Sequence, residues 1–324
     1  MKKLPFLIGA FAVAAMLNAG PALAETTLKA IAFIPKTHPV MWGSRAWTDE
    51  INAAMEGELK IDYVGGPEIV PRFEQHEAVR NGVLDMAFIV GNDLQDRIPE
   101  AQGMVLSRLN PTQERESGFF DYLDGLFQER MNTKLIGRMQ MSAFYLWTNI
   151  VPTKLADLKG LKMRTAALYD RLMKHYGMIP VAMNSPEVYT ALERGVVDGF
   201  GWPNTGVVKL GWAKHIKAAI DLPFFEWSNL YAVMNLDKWN GLSADTQQKL
   251  MDITIAFEPK MVAYYRGQEA KEWEALTAAG VQRVKFSDAE NEDYIANAYG
   301  LEWASLEGKI GAEAVAHLKT LTGN

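Results

Sequence analysis

The feature that most limits what this chain can fold into is an internal repeat. Glu74, Ala78, Val79, Gly82, Val83, Leu84 and Asp85 recur as Glu187, Ala191, Leu192, Gly195, Val196, Val197 and Asp198, at a constant offset of 113 residues (Asp85 to Asp198, Glu74 to Glu187). In each copy a helix runs into a glycine, which suits the left-handed position just past a helix C-terminus. Two branched aliphatic residues then begin a strand, with an aspartate at its mouth. Two ordinary helix–strand junctions could look alike by chance. The shared Gly-Val-(Leu/Val)-Asp, with a glutamate eleven residues before each aspartate, favours two related lobes.

The remaining pattern fits α/β lobes. Residues 28–34 read as a strand, 40–55 as a helix with Val40, Ala46, Trp47, Ile51, Ala54 and Met55 at helical spacing, and 59–64 as a second strand. A helix over about 72–81 and a strand over 84–90 follow, and this alternation predicts a parallel sheet. Residues 134–141 are a further strand candidate, 148–157 a polar connection, and 158–164 a tight turn running into a short strand. A helix over about 169–176 stops at Gly177. Ser185-Pro186-Glu187 reads as a helix start with a hydroxyl cap. Residues 230–234 form an apolar strand, and 244–278 read as long helix.

The N-terminus sets the compartment. Met1-Lys2-Lys3, an apolar run over 4–17 and Ala22-Leu23-Ala24 form a secretory signal with cleavage after Ala24, which predicts a periplasmic protein. The run is shorter than the ~20 apolar residues of a membrane span. The chain has no cysteine, which removes lipid anchoring at a thiol, disulfides, thiolate metal sites and a cysteine nucleophile. A net charge of −6 argues against nucleic acid as a partner. The residues after Ala24 suffice for two domains.

Catalytic chemistry has little support. His38, His76, His175, His215 and His317 show no metal-ligand spacing, and there is no nucleophile elbow or glycine-rich phosphate loop. A periplasmic hydrolase is therefore the weakest reading, and no cofactor is expected. Tryptophan is more informative. Trp42, Trp147, Trp202, Trp212 and Trp227 fall in or beside expected loops, and Trp42 and Trp202 follow strand ends, where α/β folds bind ligands. Arg164 ends a short apolar strand and is followed by Thr165-Ala166-Ala167, which leaves space around a guanidinium suited to a carboxylate. An ordinary surface ion pair is the alternative for Arg164, and core packing for any single tryptophan.

Three segments resemble the TRAP-transporter solute-binding proteins of the DctP family: Asp157-Leu158-Lys159-Gly160-Leu161-Lys162-Met163-Arg164, the run 187–199, and Ala78-Val79-Arg80-Asn81-Gly82-Val83-Leu84-Asp85-Met86-Ala87. The likeness extends from Leu28 to about Leu318. It implies a two-lobe, type II-like periplasmic binding protein with hinge strands and a long C-terminal helix spanning both lobes. Lobe I would comprise 25–141 plus about 230–270. Lobe II and the hinge packing would comprise about 142–229 plus 271–324. The likeness also implies that Arg164 pairs with a ligand carboxylate, that the partner is a two-part, ion-driven membrane permease, and that the protein is a monomer. A sensory protein presenting its ligand to a receptor kinase would use the same fold.

The departures from that family shape the expected ligand. Dicarboxylate and sialic-acid members carry a second arginine about twenty residues before the clamp; here that place falls near Phe144. They carry Glu-Asn-Pro after the second Val-Asp-Gly strand; here it is Gly201-Trp202-Pro203. Oxo-acid members place a metal-binding glutamate before that tryptophan, and Gly201 cannot serve, so no metal is expected. The expected ligand is a monocarboxylate with an apolar or aromatic body. Arg164 would hold its carboxylate, Phe144, Trp202 and Trp42 would enclose the rest, and Gln140, Ser185, Asn204 or His38 would bond a hydroxyl or keto oxygen.

Overall fold

The computed structural model describes residues 25–166 and 168–324. The expected signal segment and its cleavage site lie outside the described residues. Eleven strands form two sheets among them. They are β1 (Thr26–Ala32), β2 (Leu59–Gly65), β3 (Met86–Val90), β4 (Thr133–Arg138), β5 (Phe144–Thr148), β6 (Lys162–Thr165), β7 (Ile179–Ala182), β8 (Gly199–Pro203), β9 (Ala218–Ile220), β10 (Leu230–Asn235) and β11 (Gln282–Val284). The first sheet has the order β2-β1-β3-β10-β4, the second β11-β9-β5-β8-β6-β7. The chain is thus a two-lobe α/β protein, crossing between sheets after β4, after β9 and along the helix Ala244–Ala278.

The repeat is present in the geometry. Gly82 and Gly195 have φ of 71° and 65°. The Val83 N–H donates to the Ala78 carbonyl and the Val196 N–H to the Ala191 carbonyl, both at 2.9 Å. Asp85 Oδ2 accepts the Lys29 N–H of β1 at 2.8 Å, and Asp198 Oδ2 accepts the Lys162 N–H of β6 at 2.9 Å. β3 then runs parallel to β1, as β8 does to β6.

The sheets are mixed, not wholly parallel as strand–helix alternation suggested. β10 is antiparallel to β3 and β4, and β5 is antiparallel to β8 and β9. β5 and β10 follow the first two crossings and enter their sheets from the opposite end to these neighbours, whereas β11, after the third, runs parallel to β9. β5 was absent from the sequence reading. Its five residues are all buried, so no alternation marks it as a strand. Trp147 on β5 is accordingly core: its indole N–H donates to the Trp202 carbonyl at 2.9 Å and its ring packs on Phe200 and Trp273. Trp212 is buried too.

Residues 244–278 form one helix with Pro259 inside it. Its first half serves the first sheet: Thr254 Oγ1 accepts from Trp47 Nε1 at 3.0 Å, and Glu258 binds Arg115 through both oxygens at 2.8 and 2.9 Å. Its second half serves the other sheet, where Glu269 accepts from Tyr145 Oη at 2.7 Å and Glu272 accepts the Val208 N–H at 2.8 Å. The helix Asp288–Ile310 also touches both sides, since Glu302 accepts from Gln102 and from Arg171, each at 2.7 Å. The last helix, Ala312–Leu321, packs Leu318 against Phe119 and Gly103 of the first side.

Arg138, the last residue of β4, fixes the crossings. It is wholly buried and bonds both oxygens of Glu114 at 2.7 and 2.6 Å, the Ser228 carbonyl at 2.5 Å and the Met104 carbonyl at 2.6 Å. Ser228 lies on the second crossing, so one guanidinium holds the outgoing and returning chain together. Removing one partner of such a pair strands a buried charge. Glu114→Ala is expected to lower the unfolding free energy by about 3–5 kcal/mol in urea denaturation; a loss under about 1 kcal/mol, the range of exposed pairs, would contradict this role.

Candidate ligand-binding site

A narrow cavity lies between the sheets where the chain crosses. The first side contributes Phe33 after β1, Arg72, and Val90 and Asn92 at the end of β3. The second contributes Phe144, Arg164, Tyr169, Trp202 and Pro203, while Gln140, Ser228 and Asn229 come from the crossings. The strand C-termini meet here, as expected for ligand sites of α/β sheets. An open groove leads outward from it between Phe73 and Asp93 on one side and Ala182 and Met183 on the other.

Arg164 is the electrostatic centre. Its residue is 2 % exposed. Nε donates to the Met183 carbonyl at 3.1 Å, and Nη1 donates to Tyr169 Oη at 2.8 Å and to the Gly201 carbonyl at 3.3 Å. The guanidinium lies 5.0 Å from the Trp202 ring. All these partners are neutral. Among the described residues no carboxylate lies within ion-pair distance of it. Burial pushes its pKa down, Tyr169 opposes that, and Arg72 pushes further down. A buried cation solvated only by dipoles is a site prepared for an anion.

Arg72 is a second cation at this cavity, and the sequence reading missed it. Its charge is already matched: Nε and Nη2 donate to the two oxygens of Asp93 at 2.7 and 2.8 Å. Phe33 and Phe73 flank it at 5.1 and 5.3 Å. Pro71-Arg72-Phe73 reads locally as a surface helix start. Only the aromatic neighbours hinted at a stacked guanidinium, because Asp93 is 21 residues away.

Four expected residues line the cavity: Arg164, Trp202, Phe144 and Gln140. Phe144 packs on Tyr169 and Phe224, and the Trp202 indole N–H is buried with no acceptor among the described residues. Four others are placed elsewhere. Trp42 lies flat on Tyr264 of the long helix, with ring centroids 3.3 Å apart, so it pins that helix and does not wall the pocket. Asn204 is wholly buried and donates to the Glu269 carbonyl at 3.2 Å. His38 and Ser185 bond each other at 3.0 Å. Ser185 is also not the helix cap; Asn184 holds that position, with its N–H donating to Glu187 Oε2 at 2.8 Å.

Gly201 shows why no metal ligand stands there. A Cβ at 201 would fall 2.5 Å from Tyr169 Cε2. The Tyr169 ring therefore occupies the space a side chain would need, and its hydroxyl donates to the Gly201 carbonyl at 2.6 Å. The residues present do not fit a metal at this position. Gly201→Ala should cost about 1–3 kcal/mol by overpacking. That cost should largely vanish when introduced into Tyr169→Ala, because the two sites are in contact. Equal penalties in both backgrounds, measured by urea denaturation, would refute the contact.

Comparison with known proteins agrees with this architecture. The profile of the DctP family, described as bacterial extracellular solute-binding protein, family 7, matches residues 32–299. The chain is similar to the 2,3-diketo-L-gulonate-binding periplasmic protein of Escherichia coli, 26% identical over 270 residues, 76% of this chain and 79% of that protein. Among solved structures it resembles a TRAP periplasmic solute-binding protein of Desulfovibrio salexigens with bound orotic acid, with a TM-score of 0.79 at 19% identity covering 91% of this chain and 97% of that one. It also resembles an extracytoplasmic solute receptor of Bordetella pertussis that binds pyroglutamic acid, with a TM-score of 0.79 at 18% identity over 92% and 100% of the two chains. With its family profile matched over most of its length, the chain belongs to the DctP family of bacterial extracellular solute-binding proteins.

Proposed function

We propose that this receptor captures a small monocarboxylate with a ring or other compact apolar body in the periplasm and delivers it to a TRAP-type membrane permease. The observation that carries the monocarboxylate reading is the charge balance of the cavity. Arg72 is neutralised by Asp93, whereas Arg164 has only neutral partners. One uncompensated buried cation calls for one carboxylate. A second carboxylate would enter a low-dielectric space without a free counter-charge.

The walls support a ring. Phe144, Tyr169 and Trp202 on one side and Phe33 on the other present flat apolar faces. Gln140, Asn92 and Asn229 supply amides, and the unpartnered Trp202 indole N–H would be satisfied by an oxygen on the ligand. Orotic and pyroglutamic acids, held by the two similar structures, are ring acids with one carboxylate and ring carbonyls. They are the first probes to use. In this reading the lobes divide as the sheets do, with the cavity between them.

Calorimetric titration with orotate, pyroglutamate and succinate tests this. At least one ring acid should bind more tightly than succinate. Arg164→Ala should weaken that binding about a hundredfold or more, given two charge-assisted bonds at ~1.5–3 kcal/mol each. Trp202→Asn should shift preference toward succinate. Near-normal binding by Arg164→Ala would overturn the clamp, and tightest binding of succinate by the parent would overturn the monocarboxylate reading.

A further inference from the structure

His38 and Ser185 bond each other across the gap between the two sheets' sides. His38 belongs to the first. Its N–H donates to the Pro35 carbonyl at 2.9 Å, and Arg45 donates to its carbonyl at 3.1 Å. The ring is oriented by its own side too: Nδ1 accepts the Val40 N–H at 3.3 Å, so the neutral imidazole carries its proton on Nε2. That N–H donates to Ser185 Oγ at 3.0 Å. Ser185 follows β7 on the second side. Because Asn184 and Glu187 cap the helix start, its hydroxyl is left for His38. The two residues are 8% and 4% exposed, and neither lines the ligand cavity.

We propose that His38 and Ser185 form a latch between the lobes, a positioning pair that stabilises the closed form in its own right, without touching the ligand cavity. The proposal rests on reading the chain as a receptor whose lobes close, and adds what keeps them closed. A hydrogen bond between two rigid units contributes only while the units are together. Trp202, with its ring 5.8 Å from the imidazole, connects the latch to the cavity wall.

A latch made of neutral histidine also has a direction with acid. A protonated ring is a double donor, and Nδ1 could no longer accept the Val40 N–H. The charged groups facing the ring are Arg45 on the helix after it, Arg164 on β6 and Lys209 in the segment after β8, all cations. Burial first, then these charges, lowers the closed-form pKa from 6.5 to about 4. Opening returns the ring to water and to its ordinary pKa. The stabilisation of the closed form is therefore complete above pH 6.5 and declines as pH falls toward 4, so acid favours opening.

Imidazole NMR and small-angle X-ray scattering on the mature chain, with no ligand added, test the latch. In the parent, His38 should titrate near pH 4. In Ser185→Ala, which removes the partner and leaves the ring's own side intact, it should rise by about one unit or more toward the free value. The parent's radius of gyration should grow between pH 7 and pH 4.5. His38→Gln, whose amide donates to Ser185 without titrating, should not expand. The latch is overturned by a Ser185→Ala variant in which His38 titrates as in the parent, by a parent that does not expand, or by a His38→Gln variant that expands equally. Failure of Arg164→Ala to lose acid binding would instead overturn the clamp of the proposed function and leave these outcomes unaffected.

Discussion

The molecule depends on one buried ion pair at the point where its chain changes sheets. Arg138 and Glu114 sit behind the cavity, and the guanidinium also grips the carbonyls of Met104 and Ser228. Without it the segment leaving β4 and the segment entering β10 would keep their strand pairing and the Ser142 N–H bond to Ser228 Oγ at 3.3 Å, but no charged tie. With it they form a single rigid floor that presents Gln140, Ser228 and Asn229 to the cavity. Glu258 extends this floor to the long helix, by accepting the Arg138 N–H at 3.1 Å and by its paired bonds to Arg115. The helix that reaches both sheets is thereby anchored to the place where the sheets meet.

A contrast between two arginines then defines the site. Arg138 is buried with full charge compensation and is structural. Arg164 is buried among carbonyls and a phenol, which hold its position without cancelling its charge. The low dielectric that makes an unpaired cation costly also strengthens its attraction for an incoming carboxylate. Tyr169 and Gly201 are the supports of this arrangement: the missing side chain at 201 admits the ring, and the ring's hydroxyl meets both the guanidinium and the carbonyl.

The sequence disclosed what is local or repeated. The two helix–Gly–strand units, the strand carrying Arg164, and the aromatic at 202 were readable because each has a short-range signature. β5 was not, since a strand buried on both faces shows no alternation. Arg72 was not singled out, and Trp42 was expected at the pocket wall, for another reason. What they do is set by Asp93 and by Tyr264, partners that local spacing cannot reveal. His38 and Ser185 were expected to bond an oxygen of the ligand; in the structure they bond each other.

The aspartate staples of the repeat have a consequence for how such a receptor changes over evolutionary time. Asp85 and Asp198 fasten β3 and β8 to their neighbours at the strands' N-terminal ends. Val90 with Asn92, and Trp202 with Pro203, meet the cavity at the opposite ends of the same strands. The tasks of assembling the sheet and of contacting the solute are thus divided along a single strand, twice. Mutations at one end can alter what is recognised while the other end keeps the sheet assembled, so each lobe can drift toward a new solute with its folding core left intact.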